Sequence, residues 1–258
     1  MHENEDSGYA DTTDGRIFYK SSGSGMPVIL LHGNGADMSA MQGCGSILRR
    51  MGFRVILMDS RAHGRSLLKR EALHRKHGAA DMACDVRKLM AVLGLQKAML
   101  LGFSDGANTA LEFAADYPGM VYAAAAVSPN AEPDGLIMPV RLFAELGKDI
   151  SAGLLKTAGP DTKLWNRLRQ KNLQFELLTD SPHLTEDKLG RIKCPVLILS
   201  GSLDIIKHRH TEWIGRHIRD ARTVFIKGAS HLGFIYRRNK YMPYITSFAE
   251  RVRRTVYA

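Results

Sequence analysis

The stretch LLGFSDGANTAL, residues 100–111, places a serine between two glycines where an apolar run passes into a helical pattern. As a helix N-cap, Ser104 would accept a hydrogen bond from an early amide of the helix through its hydroxyl. As a nucleophile, it would lie on a strained turn between strand and helix, for which Gly102 and Gly106 give the room. The motif is short, so the rest of the sequence must decide between these interpretations.

Short runs rich in Val, Ile and Leu recur along the chain and alternate with helical patterns. Each run is apolar throughout, which is typical of strands buried on both faces of a parallel sheet, and the alternation predicts an α/β fold. The beginning differs, because residues 9–25 form two extended runs around a Thr-Asp-Gly turn and so predict an antiparallel hairpin. The other predicted strands are residues 27–33, 54–60, 97–104, 122–129, 195–201 and 222–228.

One segment interrupts this alternation. Between residues 131 and 191 there is no strand-like run, and the two longest patterns are helical. Prolines mark both of its ends. We therefore expect a core domain formed by residues 1–130 and 192–258, with a helical cap inserted as residues 131–191.

The composition is that of an ordinary globular protein: 258 residues, of which 45% are hydrophobic and 24% charged. The acidic N-terminal stretch resembles no targeting peptide, and no apolar run is long enough to span a bilayer, so we predict a cytoplasmic protein without a membrane partner. Cys44, Cys84 and Cys194 are odd in number and widely spaced, which argues against a disulfide framework or a zinc site.

The net charge of +10 would suit nucleic acid or an anionic surface. However, the basic residues are scattered over separate late segments, and no aromatic-basic motif or zinc finger accompanies them. We interpret the charge as a solvated surface and expect no nucleic-acid partner. The oligomeric state stays open.

Polar residues follow several predicted strands, and sites in open α/β sheets lie at these carboxyl ends. Ser104, Asp204 and His231 each end a different apolar strand. A serine hydroxyl needs an adjacent base to act as a nucleophile, and a histidine oriented by a carboxylate supplies one. Their order along the chain, Ser-Asp-His, is that of α/β-hydrolases and differs from the orders in chymotrypsin and subtilisin.

From HGNG at residues 32–35 to GASH at residues 228–231, the chain resembles an α/β-hydrolase over essentially its whole length. The resemblance implies an eight-stranded, mostly parallel sheet with a short helical cap after the sixth strand. It implies a catalytic triad of Ser104, Asp204 and His231, and the chemistry also needs an oxyanion hole, assigned to the backbone amides of Asn34 and Asp105. The subgroup that the chain resembles is broad and singles out no substrate.

Other acids and histidines fit the triad less well. The competing acids follow no apolar strand, and the competing histidines belong to turns or to a helix. These competitors are Asp187, Asp220, His32, His63 and His210. The turn around His63 resembles the Arg-Gly-His-Gly pattern of the family, except that Ala62 replaces its first glycine, which leaves the backbone of that turn open.

The carboxyl group of Asp105 has two interpretations. In the first turn of a helix, a carboxylate complements the helix dipole. Close to a bound acyl group, the same charge would disfavour anionic substrates.

Together these residues predict a serine hydrolase without cofactor or metal, which forms an acyl-enzyme on Ser104 from a small ester or related acyl substrate. Lactonase, carbon–carbon bond hydrolase, thioesterase and perhydrolase activities are alternatives on the same site. A weakly catalytic ligand-binding or signalling protein on the same scaffold is the alternative from a different class.

Overall fold

A computed structural model describes residues 5–160 and 162–257 of the chain. In chain order its strands are β1 (Glu5–Asp11), β2 (Gly15–Ser22), β3 (Pro27–Leu31), β4 (Arg54–Met58), β5 (Leu67–Leu68), β6 (Ala98–Phe103), β7 (Val121–Val127), β8 (Val196–Leu203) and β9 (Ala221–Ser230). The helices are α1 (Gln42–Arg50), α2 (Arg70–Leu73), α3 (Ala79–Val92), α4 (Asp105–Asp116), α5 (Met138–Thr157), α6 (Lys163–Asp180), α7 (Glu186–Gly190), α8 (His208–Arg216), α9 (Gly233–Tyr236) and α10 (Met242–Tyr257).

Within these residues the strands form one mixed sheet in the order β1-β2-β4-β3-β6-β7-β8-β9. The pairs β1–β2 and β2–β4 are antiparallel, whereas every neighbouring pair from β4 to β9 is parallel. The α/β class, the initial hairpin and the mostly parallel sheet are thus confirmed. The two-residue strand β5, which pairs with β2, adds to the eight strands that the sequence predicts.

The central strands are apolar throughout because both faces of the sheet are covered. On β6, Leu100 packs in one core cluster with residues of α3 and α4. Its neighbours Met99 and Leu101 point the other way, into a second cluster with residues of α1 and α10. This alternation fixes the direction of β6 and, with it, the position of the residues at its carboxyl end.

Between β7 and β8 the described residues contain helices α5, α6 and α7 and no strand. Arg169 attaches helix α6 to the end of α2 and to the loop that follows it. Its Nε donates to the carbonyl oxygen of Leu73 at 2.6 Å, and its Nη2 donates to that of Arg75 at 3.1 Å. The loop and the helix are thereby held together. Among all helices of the described ranges, none combines the length and the apolar character required to cross a membrane.

Candidate active site

Ser104 lies on the turn between β6 and α4, with φ of 53° and ψ of −120°. A positive φ at a residue other than glycine costs about 1–3 kcal/mol, so the surroundings must hold it. The Ser104 amide donates to the carbonyl oxygen of Val127 at 2.8 Å, and its own carbonyl accepts from the amides of Ala107 and Asn108. Strand β7 on one side and helix α4 on the other therefore hold the turn.

Two glycines allow the chain to turn so tightly. A Cβ atom at Gly102 would lie 2.1 Å from the carbonyl oxygen of Gly106. A Cβ atom at Gly106 would lie 2.2 Å from the carbonyl oxygen of Leu31 on β3. Both distances exclude a side chain, so the turn that carries Ser104 packs directly against β3.

The hydroxyl group of Ser104 does not cap helix α4, although Ser104 occupies the N-cap position. Its Oγ lies 3.2 Å from Nε2 of His231, and Nδ1 of the same ring lies 2.7 Å from Oδ1 of Asp204. The three side chains come from the ends of β6, β8 and β9, as far as 127 residues apart in sequence. The structure thus brings all three predicted triad residues together.

This geometry assigns the protons. The ionised carboxylate of Asp204 can only accept, so Nδ1 of His231 donates to it and Nε2 is left to accept the hydroxyl proton of Ser104. A histidine placed in this way can act as a general base for a serine hydroxyl.

The side chain of Asp204 is fully buried. Its Oδ2 accepts from the hydroxyl of Ser128 at 2.6 Å and from that of Ser200 at 3.1 Å. Burial alone would raise the pKa of Asp204, but the hydrogen bond and charge of His231 and the hydrogen bond from Ser128 outweigh it and lower the pKa to about 2. The carboxylate therefore stays ionised at neutral pH and can orient His231.

Ser128 and Ser200 were missed at the level of sequence. Ser128 has a positive φ of 55°, is completely buried and directly follows β7. The criterion that selected Ser104, a polar residue at the end of an apolar run, would also have selected Ser128. Ser200 lies inside the apolar run of β8, and its identity gave no comparable signal.

The loop after β3 lies beside the nucleophile, since a Cβ atom at Gly33 would be 3.1 Å from Cβ of Ser104. In this loop the amide of Gly35 donates to Nε2 of His63 at 3.0 Å. By contrast, the amides of Asn34 and Asp105 have no hydrogen-bond acceptor within the described residues. These are the two amides assigned to the oxyanion hole from the sequence, and their roles stay predictions.

The carboxyl group of Asp105 is buried and points at neutral amides. Its Oδ2 accepts from Nδ2 of Asn34 at 2.8 Å, and its Oδ1 accepts from Nδ2 of Asn108 at 3.3 Å. Burial raises its pKa, against the opposing effect of these hydrogen bonds. The side chain is therefore an acceptor inside the site, and not merely a charge at the exposed end of a helix.

The competing histidines hold loops. His32 donates through Nδ1 to the carbonyl oxygen of Gly33 and accepts from the amide of Ser60. Burial lowers the pKa of His32. Burial and the neighbouring His32 ring together lower the pKa of His63 to about 4. His210 lies on α8 and accepts from the amide of Ala131. The rings of His32 and His63 thereby brace the loop that carries Asn34.

Within the described residues, one group combines histidine and carboxylates at distances suited to a metal ion, namely Asp14, His77 and Asp81. Guanidinium groups already fill it. Arg61 lies 3.0 Å from Asp14 and 2.6 Å from His77, and Arg75 lies 2.9 Å from Asp81. Two permanent cations make this group unsuited to a metal ion.

A serine–histidine–aspartate array at the carboxyl ends of a mostly parallel sheet defines a class of protein, and the sequence agrees with it. A family model described as alpha/beta hydrolase fold matches residues 26–158, just over half of the chain. The chain belongs to this family of enzymes.

Particular relatives are similar over most of their length. The chain is 27% identical over 237 residues to serine hydrolase BPHL of Homo sapiens, covering 84% of this chain and 77% of that relative. A thermophilic esterase from Thermogutta terrifontis superposes with a TM-score of 0.74 at 24% identity, over 97% of this chain and 99% of the other. An enol-lactonase from Burkholderia xenovorans LB400 superposes with a TM-score of 0.73 at 21% identity, over 94% and 100%.

These structural likenesses show the fold. Some of the other curated relatives, among them a probable proline iminopeptidase from Streptomyces coelicolor, are matched over only 38–53% of their own length. Their activities differ from one another, so the relatives establish a hydrolase without indicating its substrate.

Proposed function

We propose that this protein is a serine hydrolase that cleaves a small ester or related acyl compound through an acyl-enzyme intermediate. The observation that carries the proposal is the continuous array Ser104–His231–Asp204, with distances of 3.2 and 2.7 Å. Because the three residues directly follow β6, β8 and β9, the sheet itself holds the array in position.

In the first half of the reaction, Oγ of Ser104 attacks the acyl carbon while Nε2 of His231 takes the hydroxyl proton. Asp204 stabilises the imidazolium that forms. The tetrahedral intermediate collapses, and His231 returns the proton to the leaving alcohol. Water then repeats the sequence against the acyl-enzyme and releases the acid, so no cofactor or metal is required.

The negative charge of the tetrahedral intermediate falls on the former carbonyl oxygen. We assign its two donors to the amides of Asn34 and Asp105, which flank Ser104 from the loop after β3 and from the start of α4. Each such donor is worth on the order of 10²–10³ in rate.

We further propose that residues 131–191 form a helical cap on the core formed by residues 1–130 and 192–258. The hydrogen bonds of Arg169 on α6 to the end of α2 and to the loop that follows it support this assignment. We also propose that the protein is cytoplasmic and has no nucleic-acid partner.

The decisive experiment labels the protein with a fluorophosphonate, whose phosphorus is attacked by an activated serine with loss of fluoride. We expect stoichiometric labelling of the parent and turnover of short-chain p-nitrophenyl esters. Ser104→Ala should abolish both while its circular dichroism and melting temperature stay close to those of the parent. Equal labelling and turnover in the variant would refute the proposal.

A panel of matched esters, lactones, thioesters and carbon–carbon bond substrates then separates the chemistries open to this site. Binding of such compounds without measurable turnover would instead favour a weakly catalytic binding protein.

A further inference from the structure

The side chain of Asn34 joins three separate segments of the chain. Its Nδ2 donates to Oδ2 of Asp105 at 2.8 Å and to the carbonyl oxygen of Gln174 at 2.8 Å. The loop after β3, the nucleophile turn and helix α6 thus meet at one amide group. We propose that the Asn34 side chain is a positioning residue, which holds the two oxyanion donors in register with Ser104 and does so only while α6 is docked.

The inference rests on the proposed function, because it concerns the backbone amides assigned there to the oxyanion hole. Each donor residue, Asn34 and Asp105, is linked to the other by its own side chain. Their amides have no acceptor within the described residues, whereas their side chains are bonded to each other. A shift of one donor therefore pulls on the other.

At the nucleophile turn, the carboxyl group of Asp105, which accepts from Asn34, is itself held by a residue of α4. Nδ2 of Asn108, one turn further along α4, donates to Oδ1 of Asp105 at 3.3 Å and to Oδ1 of Asn130 at 2.8 Å. The backbone amide of Asn130 donates in turn to Oδ1 of Asn108 at 2.8 Å. The carboxyl group of Asp105 is thereby fixed in rotation, with Oδ2 left to face Asn34.

On the side of α6, Gln174 makes a second contact with the core, through its side chain. Nε2 of Gln174 donates to the carbonyl oxygen of Ala62 at 3.0 Å. The next residue, His63, accepts from the amide of Gly35 at 3.0 Å. Helix α6 is therefore connected to the Asn34 loop directly through its backbone and indirectly through this turn.

The links form a closed ring from Asn34 through Gln174, Ala62, His63 and Gly35 back to Asn34. Breaking it at Asn34 keeps both backbone amides in the chain but removes the direct bonds of the loop to α6 and to Asp105. Only the indirect link through Ala62 and His63 then remains, so the two amides are free to shift relative to Ser104. Since an oxyanion hole stabilises the transition state and not the bound substrate, the loss should fall on kcat rather than on KM. A displacement of about 1 Å in such a site costs up to roughly 10²-fold in rate.

The test compares Asn34→Ala, which removes both side-chain bonds and keeps the backbone amide, with the parent. We expect kcat for a p-nitrophenyl ester to fall roughly 10–100-fold, with KM changed by less than about 3-fold. The inhibition constant of a trifluoromethyl ketone, which forms a tetrahedral adduct with the serine, should rise by the same factor as kcat/KM falls. The exposed Arg167 on α6 provides the control, and Arg167→Ala should leave all three quantities unchanged.

Two variants of Asp105 test rescue. Asp105→Asn keeps an oxygen that can accept from Asn34, whereas Asp105→Ala does not. Asp105→Asn should therefore retain more of kcat than Asp105→Ala. Equal losses in the two would contradict the proposed hydrogen bond.

Hydrogen exchange separates this inference from the proposed function. In Asn34→Ala, the amides of α6 and of residues 33–37 should exchange faster than in the parent, irrespective of activity. Unchanged exchange, or parental kcat and inhibition constant, overturns the positioning role. Faster exchange in a protein whose esterase activity does not need Ser104 overturns the proposed function alone and leaves the link between the loop and α6 standing.

Discussion

The hydroxyl of Ser128 donates a 2.6 Å hydrogen bond to Oδ2 of Asp204, the carboxylate oxygen that faces away from His231. The other oxygen, Oδ1, accepts from His231 and from the amide of Ile206. The carboxylate is thus held on both edges and cannot rotate about its Cβ–Cγ bond without losing a partner. Ser128 thereby helps to set the orientation of the His231 ring, to which the proposed mechanism assigns the proton of Ser104.

Replacement of Ser128 should weaken catalysis without abolishing it. Hydrogen bonds to charged groups contribute about 1.5–3 kcal/mol, so Ser128→Ala should lower kcat/KM by roughly 10-fold or more. Ser128→Gly should cause the same kinetic loss, but its free energy of unfolding should exceed that of Ser128→Ala by about 1 kcal/mol, because glycine tolerates the positive φ. Ester kinetics and urea denaturation of the pair check both parts. A larger kinetic loss in only one of them would contradict this account.

Asp204→Asn should reduce kcat by about 10⁴-fold with little change in structure. An amide nitrogen facing Nδ1 of His231 favours the tautomer in which Nε2 carries the proton and cannot accept one from Ser104. The competing acids serve as controls, and Asp187→Asn and Asp220→Asn should both keep the parental rate. Stopped assays on all three variants at pH 8 measure this. A large loss in either control would reassign the acid.

The stability of the fold should depend strongly on Arg61. Its Nε and Nη2 bind the two carboxylate oxygens of Asp85, each at 2.8 Å, and both side chains are almost completely buried. Arg61→Leu leaves a buried carboxylate without its cation, and the free energy of unfolding should fall by about 3–5 kcal/mol. The double variant Arg61→Leu/Asp85→Leu should lose less. If urea titrations gave the double variant the greater loss, the pairing would not be the cause.

Acid should weaken the attachment of α6. Burial alone would raise the pKa of Asp180, but hydrogen bonds from Lys148 and Lys76 outweigh it and hold the pKa well below its usual range. The stabilisation is therefore complete above the unfolded-state pKa of about 3.9 and is lost as the pH falls through the lower folded-state value.

The difference in unfolding free energy between the parent and Asp180→Asn should accordingly be up to about 1 kcal/mol at pH 7, since these pairs are partly exposed. It should shrink steadily below pH 4. Thermal unfolding at pH 7, 4 and 3 measures the trend. A difference that grows towards low pH would have the wrong sign for this mechanism.

Much of the site was readable from the sequence because it is built from local features. Ser104 is marked by its two glycines, and Asp204 and His231 are marked by the apolar strands that precede them. The topology of a parallel sheet then gathers strand ends that are far apart in the chain, so no long-range information was needed to expect them together.

The rest depends on side-chain pairs that no local pattern announces. Asn34 and the carbonyl of Gln174 are 140 residues apart, and a backbone carbonyl leaves no trace in the residue type. The backbone of Ala62 likewise depends on contacts that the local sequence does not reveal. Its positive φ of 59° preserves the turn that the missing glycine had left open, because Gln174 and the bracing of His63 hold the backbone there.

The contact between Asn34 and Gln174 bears on how such enzymes can be recombined. What Asn34 requires from α6 is a carbonyl oxygen at a given point in space, and any amino acid at position 174 carries one. For this contact the course of the helix matters and the residue type does not, although the side chain of Gln174 separately holds the turn at Ala62. Grafting a foreign helical segment between β7 and β8 would consequently alter turnover even if it left the substrate space untouched, so this part of the fold is not an exchangeable module.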